Sequence, residues 1–160
     1  KSILKHTIDL MESLRLKMKF VQNINDEQIR LKIEKKQLHF IGSFGTITIR
    51  LTPMEMAIYK LFLNFKEGIR FADLTDADKK ELFLKYYQEL SPNLTQSACI
   101  ELVEKYVHVY ADNSMSEKVS KIRRKIEEGL GKEQAKPFII AGANAEPKRI
   151  EVDREYIKIS

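Results

Sequence analysis

The sequence predicts an α+β fold on three observations. From residue 29 to residue 51, apolar and polar residues alternate, which is typical of strands with one solvent-facing side. From residue 52 to residue 131, apolar residues recur every three or four positions, the period of an amphipathic helix. After Gly131, short apolar runs return around a segment of small residues. The order predicts an antiparallel sheet, then helices, then a C-terminal β-hairpin.

Length and composition fit one globular domain with room for an added element. The chain has 160 residues, of which 43% are hydrophobic and 32% are charged. No apolar run approaches the roughly 20 residues of a membrane-spanning helix. The single cysteine, Cys99, excludes an internal disulfide and a multi-cysteine zinc site. We therefore expect a cytoplasmic protein with no membrane partner.

Residues 1–22 are predicted to form a helix of their own. They contain no glycine or proline, and they carry an apolar stripe formed by Leu4, Ile8, Met11, Leu14, Met18 and Val21. An isolated helix of this length is marginal in water, so the stripe should be buried. It could pack on the domain, form a homodimer, or end a linker from an upstream domain. We divide the chain into this N-terminal helix and a main domain, residues 23–160.

Three strands should open the main domain. Their inward-facing residues are Ile29, Leu31 and Ile33, then Leu38 and Phe40, then Ile47, Ile49 and Leu51. Residues 34–37 and 42–45 provide the turns. Thr52-Pro53-Met54-Glu55 then predicts a helix start, because threonine caps, proline suits the first position, and Glu55 completes a capping box. We expect this helix to end at Gly68.

Two further helices should follow, one from about Thr75 to Leu90 and one from Thr95 to about Tyr110. The segment 71–112 that contains them holds eight acidic residues against four lysines, a net charge of −4. Since the whole chain carries +5, the remainder carries +9. A basic surface beside an acidic one suits a protein that binds nucleic acid on one side and another partner on the other.

Residues 115–130 are predicted to form a basic helix. Its inner face is Met115, Val119, Ile122 and Ile126, while Lys121, Arg124, Lys125 and Glu128 point away from that face and Lys118 lies on the flank. Between Ser114 and Ile126 there are five cations and one anion. Ser114 and Glu117 have the spacing of a capping box, and Gly129 and Gly131 offer a stop. The helix either lies against polyphosphate or presents a solvated basic face.

An extended hairpin is predicted from Phe138 to Val152, with small residues at its tip and Lys148 and Arg149 near its base. A final short strand should occupy Tyr156 to Ile159. Both are predicted from apolar runs of strand length.

These elements and their motifs resemble the winged-helix effector domain of the OmpR/PhoB response-regulator type. The family's first helix begins Leu-Thr-Pro-x-Glu, matched by residues 51–55. Its recognition helix carries Ile-Ser-Arg-Leu-Arg-Lys-Lys-Leu, matched in character by residues 119–126. The family closes on a wing ending Gly-Tyr-Arg-Leu, echoed by residues 155–158. Residues 91–113 depart from it by inserting a helix, the wing is longer, and no receiver domain is present.

The resemblance implies a winged helix-turn-helix domain that binds double-stranded DNA as a transcriptional regulator. The helix 115–130 would enter the major groove, and the wing would reach the adjacent backbone. The expected DNA-binding residues are Ser114, Lys118, Ser120, Lys121, Arg124, Lys125, Lys148 and Arg149. The acidic segment 71–112 would contact the transcription machinery. The alternative is a protein-protein interaction module on a winged-helix scaffold.

No constellation of residues predicts an enzyme, a metal site or a cofactor. His6, His39 and His108 have no ligand spacing, and His39 should face outward from a strand. Cys99 falls on the apolar side of its helix and is interpreted as an inert core thiol. The segment Gly42-Ser43-Phe44-Gly45 lacks the lysine of a phosphate loop, so we interpret it as a hairpin turn.

Overall fold

A computed structural model of the chain describes residues 7–14, 28–108, 112–143 and 146–160. These residues form a mixed α+β structure with a four-stranded sheet and six helices. The first helix, α1, covers residues 7–14, and every one of its residues is exposed. Ile8, Met11 and Leu14 are 48%, 64% and 59% exposed. How the predicted apolar stripe is covered stays a prediction, because the rest of segment 1–22 lies outside the described residues.

The three predicted antiparallel strands are confirmed. They are β1 (Arg30–Glu34), β2 (Gln37–Gly42) and β3 (Gly45–Arg50), with β2 in the middle. The inward-facing residues Leu31, Ile33, Leu38 and Phe40 are fully buried, while the opposite face carries polar side chains. Alternation in the sequence therefore located both the strands and the buried side of the sheet.

A fourth strand completes the sheet from the far end of the chain. This strand, β4 (Ile157–Ile159), lies parallel to β1, and the sheet order is β3-β2-β1-β4. The backbone N–H of Ser160 donates to the carbonyl of Ile33 at 2.9 Å. The sequence predicted a final short strand here. Its parallel pairing with β1 was not predicted, because a three-residue run contains no signal for its partner.

The helix α2 (Pro53–Asn64) forms the centre of the core. Its capping box is confirmed: the Thr52 hydroxyl accepts from the Glu55 N–H, and the Glu55 carboxylate accepts from the Thr52 N–H. Its fully buried residues are Met56, Ala57, Ile58, Tyr59, Leu61 and Phe62. The helix ends at Asn64, four residues before the predicted stop at Gly68, so that only the start was located correctly.

Two bonds tie α2 to the C-terminal part of the chain. The buried Tyr59 hydroxyl donates to the Phe138 carbonyl at 2.7 Å, and burial raises the pKa of this phenol. Arg154 donates through Nε to the Leu63 carbonyl at 2.9 Å, and through Nη1 to the carbonyls of Ile150 and Val152. Burial lowers the pKa of Arg154 from its usual value, although the guanidinium stays charged.

The acidic segment forms a 3-10 turn (Phe71–Thr75), α3 (Ala77–Leu90) and α4 (Gln96–Val107). The helix α4 begins where predicted, Thr95 caps it through its hydroxyl, and Cys99 is buried. An ion pair between Lys80 and Glu104 joins the two helices. The predicted extension of the third helix to Tyr110 lies outside the described residues.

The basic helix is longer than predicted, and α5 covers Asp112–Leu130. The prediction that Ser114 caps it is wrong, because Ser114 lies inside the first turn. Gly131, at a φ of +83°, ends the helix as expected. The chain then forms α6 (Lys132–Ala135) and a 3-10 turn (Lys136–Phe138), where the sequence predicted a strand at Phe138. That residue is buried instead, with its ring edge-on to Phe40.

The predicted hairpin from Phe138 to Val152 is also wrong in its extent. Among the described residues of this segment, Ala141 and Arg149 pair as its two arms, through N···O distances of 3.0 and 2.9 Å. Lys148 pairs in turn with Ile69, so three segments of the chain lie side by side. Pro147 has no N–H to extend the pairing toward the tip, and residues 144–145 lie outside the description. The 141–149 hairpin is thus short and pairs along one side with the segment around Ile69.

Candidate nucleic-acid interface

The helix α5 is held along its predicted apolar face. Met115, Val119, Ile122 and Ile126 are all buried, and the helix contacts α2, α4 and β3. Burying each of these side chains contributes about 1.5–3 kcal/mol, so the orientation of α5 is set mainly by this face. The opposite side of the helix is left for solvent or a partner.

Close approach to β3 fixes the C-terminal part of α5. A Cβ built on Gly129 would lie 2.7 Å from Ile49 Cδ1 and 3.1 Å from its Cγ1. Both distances are shorter than an ordinary contact, so only glycine fits without displacement of the Ile49 side chain. The sequence offered Gly129 as a helix stop, but it lies inside the helix and serves its packing.

The outward face of α5 carries both signs of charge. Lys121 and Arg124 are exposed, as predicted, but Glu117 and Glu128 are exposed on the same face. Because α5 begins at Asp112 and runs past Glu128, the whole helix carries a net charge of +1, against +4 between Ser114 and Ile126. The face is therefore a pair of cations flanked by two anions rather than a uniform cationic stripe.

Three of the expected DNA-binding residues line one shallow depression of about 360 Å³. Ser120, Lys121 and Arg124 surround it together with Ser116 and Glu117. Ser114 is exposed one turn away, at the start of the helix, and Lys118 is half-buried on the flank. The structure thus brings together the central part of the predicted site.

Lys125 has an intramolecular partner. Its ammonium donates to Glu55 Oε1 at 2.6 Å, and the Glu55 side chain is 2% exposed. Burial alone would raise the pKa of Glu55, but the hydrogen bonds from Lys125 and Thr52 outweigh it and leave the pKa below its usual value. Lys125 is therefore paired with α2, while 36% of its side-chain surface remains exposed.

The two cations of the short hairpin, Lys148 and Arg149, lie next to each other but are both engaged. Lys148 Nζ donates to the Gly142 carbonyl at 3.1 Å and lies 5.8 Å from the centre of the Phe71 ring. Arg149 is exposed and lies 3.5 Å from the Glu151 carboxylate. Such exposed pairs contribute little to stability, so both side chains can exchange partners at small cost.

The hairpin and α5 meet the same connecting segment. The 3-10 turn Phe71–Thr75 contacts α5, and it directly follows Ile69, which pairs with Lys148. Gly68 makes that pairing possible: its φ is +89°, and a Cβ there would lie 2.7 Å from the Lys148 carbonyl. One short segment therefore connects the two parts of the predicted interface.

Candidate metal-binding groups and membrane-spanning helices are both absent from the part of the chain that the structure describes. Among the described residues, no group of three or more His, Cys, Asp or Glu side chains could hold a metal ion. His39 faces outward, and its Nδ1 lies 2.8 Å from the Thr48 hydroxyl. None of the helices in residues 7–14, 28–108, 112–143 and 146–160 is long and apolar enough to cross a membrane.

Sequence reasoning missed Glu55 as the partner of Lys125, and the separation of 70 residues along the chain left no signal for it. It also missed Glu117 as part of the outward face, although helical spacing places it there beside Glu128, which was predicted to point outward. No family model matches the chain, and comparisons with curated proteins and with solved structures find no match either.

Proposed function

We propose that residues 28–160 form a winged-helix domain that binds double-stranded DNA, with α5 in the major groove and the 141–149 hairpin as the wing. The observation that carries this proposal is the depression on α5 around Ser120, Lys121 and Arg124. It lies on the side of α5 opposite its buried face, where a helix can enter a groove about 12 Å wide. In the cell, such a domain would act as a cytoplasmic transcriptional regulator.

The arrangement of charges supports a specific division of roles. Lys121 and Arg124 are exposed and would contact phosphates or base edges, with Ser114, Lys118 and Ser120 beside them. Lys148 and Arg149 would leave their weak intramolecular partners for the phosphate backbone. Phosphate contacts release counterions, so they give binding its salt dependence.

Titration of a labelled DNA duplex at several salt concentrations tests the proposal. Three to five phosphate contacts predict a slope of log affinity against log salt of about −3 to −4.5. Lys121→Ala and Arg124→Ala should each weaken binding, whereas Lys85→Ala is the matched control, because Lys85 is an exposed lysine on α3. No binding at low salt would reject the proposal, as would equal affinities of all three variants.

The acidic residues of α5 give a second and more selective test. Glu117 and Glu128 share the outward face with Lys121 and Arg124, so a bound duplex would approach their carboxylates. Glu117→Gln and Glu128→Gln should therefore tighten DNA binding, because each removes a repulsion from phosphate. Glu81→Gln on α3 is the control and should leave the affinity unchanged. Unchanged affinity in all three variants would mean that DNA does not contact this face.

The mixed charges of this face favour a second candidate, a protein-protein interaction module. A face with two cations and two anions suits a protein partner with its own mixed charges. Leu94 and Ile100, beside and on α4, are 41% and 40% exposed and would extend a protein-binding surface into the acidic segment. This is the segment for which we propose contact with the transcription machinery. Failure of the DNA titration would favour this candidate.

A further inference from the structure

We propose that Lys125 is a positioning residue, which with Glu55 fixes the rotation of α5 on α2 and does not itself contact DNA. The proposal deepens the proposed function, since the rotation of α5 decides where Lys121 and Arg124 point. It removes Lys125 from the expected contacts and assigns it, with Glu55, to the support of the remaining ones.

Hydrogen bonds within α2 orient the carboxylate of Glu55 independently of Lys125. Glu55 Oε1 accepts the Thr52 N–H at 2.9 Å, and the Glu55 N–H donates to the Thr52 hydroxyl at 3.2 Å. These bonds close the first turn of α2, whose neighbouring residues are buried in the core. A carboxylate fixed by a capping box on a buried helix is a rigid acceptor for the lysine of another helix.

Moving Lys125 to a phosphate would strip this carboxylate of its cation. Glu55 is 2% exposed, so water has little access to replace the ammonium. A buried charge left without its partner is strongly unfavourable, and that loss would oppose any gain from the new contact. Lys121 and Arg124 carry no such penalty, because both are exposed.

The ion pair acts together with a second fixed point on the same side of α5. Gly129 follows Lys125 by one helical turn and lies against Ile49 of β3. One contact therefore joins α5 to α2, and the next joins it to the sheet. Turning α5 about its axis would break the ion pair and also move Gly129 off Ile49. Two contacts in line resist that rotation better than the apolar face alone.

A double-mutant cycle with Lys125→Met and Glu55→Gln tests the assignment in the DNA titration. If the pair positions α5, both single variants should lose affinity to a similar extent, about fivefold or more if one contact is misplaced. Their salt slopes should match each other, and the double variant should be no weaker than the weaker single variant. If Lys125 contacts phosphate, only Lys125→Met should weaken binding, and its slope should fall by about 0.9. That result would overturn the proposal.

A second measurement on the same proteins does not involve DNA. Urea unfolding of the parent, both single variants and the double variant should show a coupling of about twofold or more in the unfolding equilibrium constant. Lys125→Arg keeps the charge and should retain parental affinity, unlike a variant that merely fails to fold. Absence of coupling would overturn the positioning role, whereas coupling in a parent that binds no DNA would reject only the proposed function.

Discussion

The two ends of α2 satisfy their backbone groups in different ways. At the N-terminal end, Thr52 and Glu55 exchange two hydrogen bonds within a single turn. At the C-terminal end, the carbonyl of Leu63 accepts from Arg154, which lies 91 residues later in the chain. Every helix leaves four N–H groups and four carbonyls without partners inside it, so both ends need such a solution.

The N-terminal end of α2 is therefore stabilised by residues of its own first turn, whereas the C-terminal end is stabilised by a residue from a distant part of the chain. The N-terminal cap forms as soon as its own turn forms, and Lys125 then adds to it. The C-terminal end depends on the segment from Phe138 to Arg154, which must already be folded against α2. Loss of the distant donor Arg154 should therefore destabilise the domain more than loss of the Thr52 hydroxyl from the local cap.

The largest effect is expected from Arg154→Met. The substitution keeps an unbranched side chain but leaves the carbonyls of Leu63, Ile150 and Val152 without their donor. We expect a loss of about 3 kcal/mol in the free energy of unfolding, because one charged donor serves all three. Urea denaturation measures it. A loss smaller than that caused by Thr52→Ala would contradict the ranking of the two ends.

The second-largest loss in the free energy of unfolding is expected from Glu55→Gln, and this loss should depend on pH. Above the ordinary carboxyl pKa of 4.5, we expect a loss of about 2 kcal/mol, since Lys125 keeps only a neutral partner. The folded pKa of Glu55 lies below its usual value, so the parent loses this advantage as the pH falls through that lower pKa. Unfolding measured from pH 7 to pH 3 should show the two proteins converging. A constant difference would mean that charge is not the cause.

A smaller effect is expected from Tyr59→Phe, which removes the other hydrogen bond between α2 and the C-terminal segment. The ring remains and fills the same space, but the buried Phe138 carbonyl loses its donor at 2.7 Å. This should cost about 1.5 kcal/mol. Tyr156→Phe is the matched control, since Tyr156 is only half-buried and its hydroxyl bonds to the exposed Glu155 side chain. Thermal unfolding of the two variants distinguishes a lost bond from a general effect of removing a hydroxyl.

The smallest effect is expected from Thr52→Ala, which removes one bond of the local cap. The Glu55 carboxylate still accepts the N–H of residue 52 and the Lys125 ammonium, so only the Thr52 hydroxyl is lost. The expected cost is about 1 kcal/mol, typical of a helix N-cap. Thr52→Ser restores the hydroxyl and should recover most of that stability. If serine and alanine behave alike, the cap contributes nothing.

The same division explains which parts of the fold could be predicted from the sequence. The start of α2, the three strands β1 to β3 and the buried face of α5 rest on patterns within a few residues, and all were located. The pairing of Ile69 with Lys148 and the parallel position of β4 depend on segments far apart in the chain. No periodicity within either segment contains that information, so both were missed.

The candidate site divides in the same way. Helical spacing correctly placed Lys121 and Arg124 on the exposed side of α5, because exposure follows from the buried face of the same helix. It could not show that Lys125 meets Glu55, which depends on how α5 packs against α2. Ser114 was misassigned as a cap because a serine and a glutamate three residues apart also occur inside a first turn.

The parallel pairing of β4 with β1 has a consequence for how the chain acquires its fold. Until Ile157–Ile159 arrive, β1 is an edge strand, and its outer N–H and carbonyl groups are free to pair with another chain. During synthesis, the outer edge of β1 stays unpaired until almost all of the described residues have been made. Contacts between such distant segments form late and slow the final step of folding. A chain interrupted before Ile157 therefore leaves this edge of the sheet open to pairing with other chains.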